Sequence, residues 1–188
     1  MNCIYMHPIV RQTLYEMLFD RGYCKITNQE DDDKVIVAIN ENTNQRIFVY
    51  FVSDPKVSVK KVKSIRDLMS DSSEVYACLL LVYKNSITTF AKQFIATDIN
   101  PSLHVQAFSE KELMFNVTKH DLVPKFQILS TEEKKQVIQK YRTHAKHFPR
   151  MTTADPISRY YGILPGTMVK ITRKSPTAFE YESYRIVV

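Results

Sequence analysis

Tripeptides that place an acidic residue two positions before a lysine recur in this 188-residue chain, among them Asp32-Asp33-Lys34, Asp54-Pro55-Lys56 and Glu133-Lys134-Lys135. In a metal-dependent nuclease such a tripeptide works with a further carboxylate on a neighbouring strand. The two acids hold Mg²⁺ while the lysine orients the attacking water. The strand-like run 46–52, which would have to supply the further acid, contains none, and Pro55 marks a strand exit. With 20 acids in the chain, composition alone accounts for tripeptides of this kind. His144 and His147 are spaced for one helix face and so for two metal ligands, yet no cysteine or carboxylate pair nearby completes a set. Solvated histidines are the simpler reading. His120 precedes Asp121, but no serine or cysteine stands at a spacing that makes a triad. Only Gly22, Gly162 and Gly166 are glycines, which excludes a dinucleotide fingerprint, a P-loop and a nucleophile elbow. The residues ask for no cofactor and no metal.

Binding is better supported than catalysis. The net charge is +6, and residues 1–119 contribute none of it, with 14 basic and 14 acidic side chains. Residues 120–188 hold 12 basic and 6 acidic ones, so the excess sits in the last third. Such an asymmetry predicts two modules, the basic one facing nucleic acid or an acidic partner surface; a solvated basic face is the simpler reading. Lys60, Lys61 and Lys63 form one cluster; Lys170, Arg173, Lys174 and Arg185 form another. On a strand, Arg173 shares a face with Val169 and Ile171, and an arginine among hydrophobes needs a carboxylate or carbonyl partner, in this module or on another chain.

The elements that position these residues follow from periodicity. Val10, Leu14, Met17 and Leu18 predict a helix over 9–21, closed by Gly22. The acidic run 30–33 reads as a solvated loop, and 35–39 and 46–52 as a hairpin turning at Asn42 and Asn44. A helix over 60–69, a strand over 75–83 buried on both faces, an exposed loop at 83–87, a helix over 88–96, a strand over 103–108 and a short element at 112–117 complete an α/β layer. Beyond residue 119, Ser130 and Glu133 make a capping box for a helix ending near Arg142, and 143–154 is a connector. Asp155-Pro156 opens a short helix that stops at Gly162, and Pro165-Gly166 is a turn. Strands over 169–173 and 181–187 flank a loop at 175–179. Cys3, Cys24 and Cys78 form no CxxC pair and suit a reducing compartment. No apolar run is long enough to span a membrane, and the opening residues lack the features of a secretory signal.

One ordered series of residues is more specific than any of this. It runs His120-Asp121-Leu122-Val123-Pro124, Leu129-Ser130, Glu132-Glu133-Lys134, Tyr141, Pro149-Arg150, Ala154-Asp155-Pro156, Arg159-Tyr160, Gly162, Gly166, Val169-Lys170-Ile171, Arg173-Lys174-Ser175, Thr177-Ala178 and Tyr184-Arg185. The series resembles the fifth-largest subunit shared by the nuclear DNA-directed RNA polymerases, which has a shorter archaeal counterpart. Asp20-Arg21-Gly22-Tyr23, Phe48-Val49-Tyr50-Phe51, Pro55-Lys56-Val57, Ala91-Lys92-Gln93, Glu112-Leu113 and Asn116-Val117-Thr118 extend the resemblance to the part the archaeal protein lacks, so it covers the chain from about Val10 to Val188.

The resemblance implies an α+β protein in two modules. Residues 1–119 would form a jaw of nuclease-like α/β fold without a nuclease site, and residues 120–188 a small α/β assembly module with a mostly antiparallel sheet. It implies a non-catalytic subunit that docks on the largest polymerase subunit and other core subunits and helps hold downstream duplex DNA by its backbone, with no membrane contact. The implied location is the nucleus, or the cytoplasm or virion for a chain from a large DNA virus, since few glycines and short loops fit a compact genome. The family's Thr-Pro-Ser-Ala turn beside DNA corresponds to Thr88, Thr89, Phe90 and Ala91, followed by Lys92; Phe90 offers no hydrogen bond there. The implied subunit contact comprises Asp155, Pro156, Arg159, Tyr160, Gly162, Gly166, Val169, Arg173, Ser175, Thr177, Tyr184 and Arg185. Phe126 stands where the family has His, and Phe179 where it has Gly, which predicts another turn shape after Ala178. The loop between the first helix and first strand is shortened. The competing readings are a nuclease using Asp54 and Lys56, and a free-standing DNA-binding module.

Overall fold

In the computed structural model, which describes residues 7–28, 34–41, 43–71, 75–97, 103–175 and 179–188, Pro8 opens helix α1 (Pro8–Asp20), where a missing N–H costs nothing. The chain continues through β1 (Lys25–Asn28), β2 (Val35–Ile39), β3 (Arg46–Val52), β4 (Lys56–Val57), α2 (Val59–Asp71), β5 (Cys78–Tyr83), β6 (Ser86–Ile87), α3 (Thr89–Thr97) and β7 (His104–Ser109). These elements belong to the first of two compact units, Met1–Phe115 and Asn116–Val188.

The sheet of the first unit is mixed, in the order β1-β2-β3-β5-β7. Its β1-β2-β3 half is antiparallel, while β3, β5 and β7 run parallel. Parallel neighbours need crossover connections, and α2 and α3 supply them. Both helices lie on the face that carries Phe48, Tyr50, Val52, Leu79 and Leu81, against which Val62, Ile65, Met69 and Ala91 pack. The alternate residues Ile47, Val49, Phe51, Leu80 and Val82 are also buried, so the central strands are covered on both faces. α1 lies on this second face, because its capping Arg21 hydrogen-bonds Gln106 Oε1 at 2.9 Å, and Gln106 is in register with Leu80. Each fully buried side chain such as Leu14 or Leu80 contributes about 1.5–3 kcal/mol by leaving water. A two-residue parallel pair, β4 with β6, stands apart from this sheet.

The second unit opens with a 3-10 turn, Val117–Lys119, followed by β8 (Lys125–Ile128), α4 (Thr131–Lys140), a second 3-10 turn at Ala145–His147, β9 (Arg150–Met151), α5 (Pro156–Tyr161), β10 (Met168–Ser175) and β11 (Phe179–Val187). Its sheet order is β8-β10-β11-β9, antiparallel except for the β11–β9 pair. One face buries Val169, Ile171 and Val187 with Ile157 and Ile163; the other buries Met168 with Leu129, Val137 and Phe148. The capping box at α4 forms as read, with Ser130 Oγ accepting from Glu133 N and Glu133 Oε2 accepting from Ser130 N at 2.7 Å.

Several expectations need correction. The strand read over 75–83 begins at Cys78, because Val75 is 85% exposed. The loop at 83–87 contains the short strand β6, and residues 112–117 form a turn that leads into the 3-10 segment instead of a regular element. The connector 143–154 holds a 3-10 turn and β9. The unit division falls between Phe115 and Asn116, earlier than the expected 119/120 junction. Its reason is local: Asn116 caps the 3-10 turn at Thr118 N and gives its amide to Tyr160 Oη at 3.1 Å, inside the second unit. The acidic run 30–33, Asn42, and Cys3 lie outside the described residues.

Candidate functional site

The side chains considered first for catalysis have structural occupations. Asp54 Oδ2 lies 3.3 Å from Lys61 Nζ, Glu133 belongs to the capping box, and Lys134 Nζ donates to Gly166 O at 2.7 Å. These acids fall in separate units, and Asp32 and Asp33 lie outside the described residues. His144 and His147 meet edge to face at 5.8 Å, and His147 Nδ1 bonds Thr143 Oγ1 at 3.2 Å. His120 Nδ1 accepts from Leu122 N at 3.2 Å. Among the described residues no group of three His, Cys, Asp or Glu side chains is placed to hold a metal.

The first candidate surface lies at the starts of α2 and α3. Strands β4 and β6 pair in parallel, Lys56 beside Ser86 and Val57 beside Ile87, and each runs directly into a helix. Both helices therefore begin at the same end of the unit and present their first-turn backbone N–H groups together, with Lys61 N donating to Ser58 Oγ at 3.4 Å at the start of α2. Thr88 caps α3: its Oγ1 accepts from Ala91 N at 3.1 Å, leaving the hydroxyl proton for another acceptor. Thr89, Phe90 and Lys92 are exposed, Phe90 by 77%, whereas Ala91 is fully buried in the core and its side chain reaches no partner. On α2, Lys60 and Lys63 are exposed. Lys63 Nζ lies 5.3 Å from the centre of the Phe94 ring and the Arg66 guanidinium 5.9 Å from it, a stacking that holds two cations beside α3. Sequence reasoning missed the Arg66–Phe94 contact; the i, i+3 spacing of Lys63 and Arg66 is its signal in the sequence.

The second candidate surface lies in the second unit, and the structure sorts the predicted contact residues into two classes. Several are spent on the fold. Asp155 is the N-cap of α5, its Oδ1 accepting from Ile157 N at 2.9 Å, and Pro156 takes the first helical position. Arg159 is half-buried in the last turn of the same helix. Gly162 closes α5 in the left-handed region at φ 64°, a conformation that costs a side-chain-bearing residue about 1 kcal/mol or more. Tyr160 is 4% exposed and Val169 fully buried, so both side chains are enclosed within this unit. Gly166 is a turn residue at φ 86°. Thr177 lies outside the described residues.

Arg173, Ser175, Tyr184 and Arg185 instead belong to the β10–β11 hairpin, with Arg173 in register with Tyr181 and Arg185 with Val169. Arg173 does share the face of Val169 and Ile171, but the core ends at Ile171 and the guanidinium stands exposed in water. The demand for a buried partner, expected from alternation, therefore does not arise within this unit. β8 covers β10 only as far as Thr172, so the end of the hairpin extends past the sheet. On the opposite face Lys170 and Glu182 form an ion pair, which holds the lysine's pKa above its usual value and the carboxyl's below. Tyr184 Oη donates to Glu182 Oε2 at 3.2 Å, and burial followed by the nearby Glu182 charge pushes the phenol's pKa up. Phe179, read as changing the turn because it replaces glycine, keeps a glycine-like backbone at φ 60° and is 91% exposed. Residues 176–178 lie outside the described residues.

Comparison with known proteins places these features in a family. Residues 115–187 match the model of the RNA polymerase Rpb5 C-terminal domain. The chain is 32% identical to subunit RPABC1 of DNA-directed RNA polymerases I, II and III of Caenorhabditis elegans, over 95% of this chain and 94% of that protein. It is 35% identical to the corresponding subunit of Dictyostelium discoideum over 95% of each chain. To DNA-directed RNA polymerase subunit 5-like protein 1 of Arabidopsis thaliana it is 31% identical over 95% of this chain and 94% of that one. At this identity and coverage, the chain belongs to the RPABC1 (Rpb5) family of DNA-directed RNA polymerase subunits.

Proposed function

We propose that the chain is a non-catalytic structural subunit of a multisubunit DNA-directed RNA polymerase, working in the nucleus. In this reading the first unit is a jaw beside downstream DNA and the second an assembly module docked on the largest subunit. The observation that carries it is the kinship itself, which runs through both units over 95% of the chain to a subunit named for three polymerases. The arginines and exposed aromatics of the β10–β11 hairpin support a protein contact, since arginine and tyrosine are enriched where partners bury side chains. The paired starts of α2 and α3, with Lys60, Lys63, Thr88 and Lys92, support a contact with phosphates that reads no sequence. Among the described residues no helix is long and apolar enough to cross a membrane.

Co-expression with the largest polymerase subunit tests the docking. The account predicts co-elution on gel filtration at equal stoichiometry. Elution of the chain by itself, at its own 22.0 kDa, would contradict it.

A further inference from the structure

β11 is longer than the strand that covers its outer edge. On that edge β9 meets only Ile186 and Val187, through Ile186 N–H to Pro149 O and Val188 N–H to Met151 O, both 2.9 Å. One rung further back, the parallel ladder would bring the N–H of residue 149 to the Tyr184 carbonyl, and Pro149 has no N–H to give. The ladder stops there. Odd-numbered residues of β11 pair inward with β10, as Val187 N–H continues to Thr167 O. The amides and carbonyls of Glu180, Glu182 and Tyr184 consequently point outward, and among the described residues no backbone group meets them.

The two faces flanking this edge differ. One is closed on itself: Glu182 pairs with Lys170 and accepts from Tyr184 Oη, and the Tyr184 ring stands edge to face with Tyr141 at 5.8 Å. The other holds Phe179 and Tyr181, 91% and 58% exposed, with Arg173 opposite Tyr181 and Arg185 further along. Edges kept in water are usually blunted by lysine, proline or a covering loop. Residues 180–184 carry neither lysine nor proline, and an uncovered row of donors and acceptors beside two bare aromatics is a template for another strand.

We infer that this edge is completed by an extended segment of the largest polymerase subunit, added to β11 as a further strand along residues 180–184. The inference rests on the docking proposed above and specifies its chemistry. The segment alternates, placing an apolar side chain against Phe179 and Tyr181 and, on the same face, a carboxylate against Arg173 or Arg185. Backbone hydrogen bonds supply the attachment, and the arginines and aromatics select the sequence.

Glu182→Pro in the full-length tagged chain removes the outward N–H, which β10 does not use, at an edge position where proline is tolerated. Glu182→Gln removes the same charge and ion pair but keeps the N–H. Co-purification with the largest subunit should fall about tenfold or more for Glu182→Pro and stay within about twofold of wild type for Glu182→Gln. Hydrogen exchange on the wild-type chain gives a reading that does not depend on how the proline variant folds: the Glu180, Glu182 and Tyr184 amides should slow about tenfold or more once the chain is within polymerase. Unchanged exchange at these amides overturns the inference, as does equal recovery of the two variants, whether both are kept or both lost. If wild type itself fails to recover the largest subunit, the docking reading falls, and the strand addition with it.

Discussion

Thr88 gives its backbone N–H to the carbonyl of Val57 at 3.0 Å, and this bond ties the start of α3 to the strand that feeds α2. The two helices thus offer their N-terminal amides on one side of the unit, with Lys60 and Lys92 exposed beside them. If that surface lies against downstream DNA, its contribution is electrostatic. Polymerase carrying Lys60→Ala and Lys92→Ala should show a slope of log affinity against log salt smaller by about one for each lysine that meets a phosphate, equally on unrelated duplexes. Anisotropy titrations over a range of salt would measure it; an unchanged slope would remove these lysines from the interface.

The hairpin arginines should matter more for assembly than the lysines of α2. Arg173→Ala or Arg185→Ala should reduce recovery with the largest subunit about tenfold, whereas Lys60→Ala or Lys61→Ala should leave it within about twofold, because truncating an anchor inside a contact costs far more than removing a solvated charge. Quantitative co-purification compares them, and equal recovery of all four variants would refute the assignment of this surface.

Asp155 is predicted to act through the fold. Its carboxylate caps α5 at Ile157 N, so Asp155→Ala should destabilise the second unit by about 1 kcal/mol, while Asp155→Asn should retain most of the cap. Exchange of the α5 amides in mild denaturant reads this directly. A loss of polymerase binding in Asp155→Asn at unchanged stability would instead put the carboxylate in the contact.

What the sequence disclosed, and what it hid, follows from physical causes. The apolar period of Val10, Leu14, Met17 and Leu18, the Ser130–Glu133 box and the Asp155-Pro156 start are local signals, and their elements form within a residue or two of the reading. β4 and β6 have two residues each and exist only because they pair with one another, which no local pattern announces. β1 and β8 escape a reading by periodicity although Lys125-Phe126-Gln127-Ile128 alternates, because four residues of alternation carry little weight without their neighbours. Tyr160 and Val169 match the family's contact positions, but matching reads identity and not burial. The reach of the hairpin past β8, and the gap left by Pro149, depend on register.

Cys78 lies beside His104 in the sheet and is 7% exposed; burial pushes its thiol up to about 11 against an opposing pull from Arg21. The native chain near pH 8 should therefore be alkylated at exposed Cys24 and spared at Cys78 until it unfolds, as peptide mapping would record. A thiol raised in the fold leaves stability intact below its ordinary value near 9 and withdraws it as pH climbs toward 11, so Cys78→Ala should soften the alkaline loss seen in denaturation at pH 9 to 11. Ready labelling of Cys78 in the folded chain would contradict its placement.

Affinity purification of the tagged full-length chain from the cells that make it, followed by quantitative mass spectrometry, bears most directly on the central claim. The account predicts the largest polymerase subunit and its core partners at close to equal stoichiometry with the bait. Recovery of the bait with no polymerase subunit would contradict it.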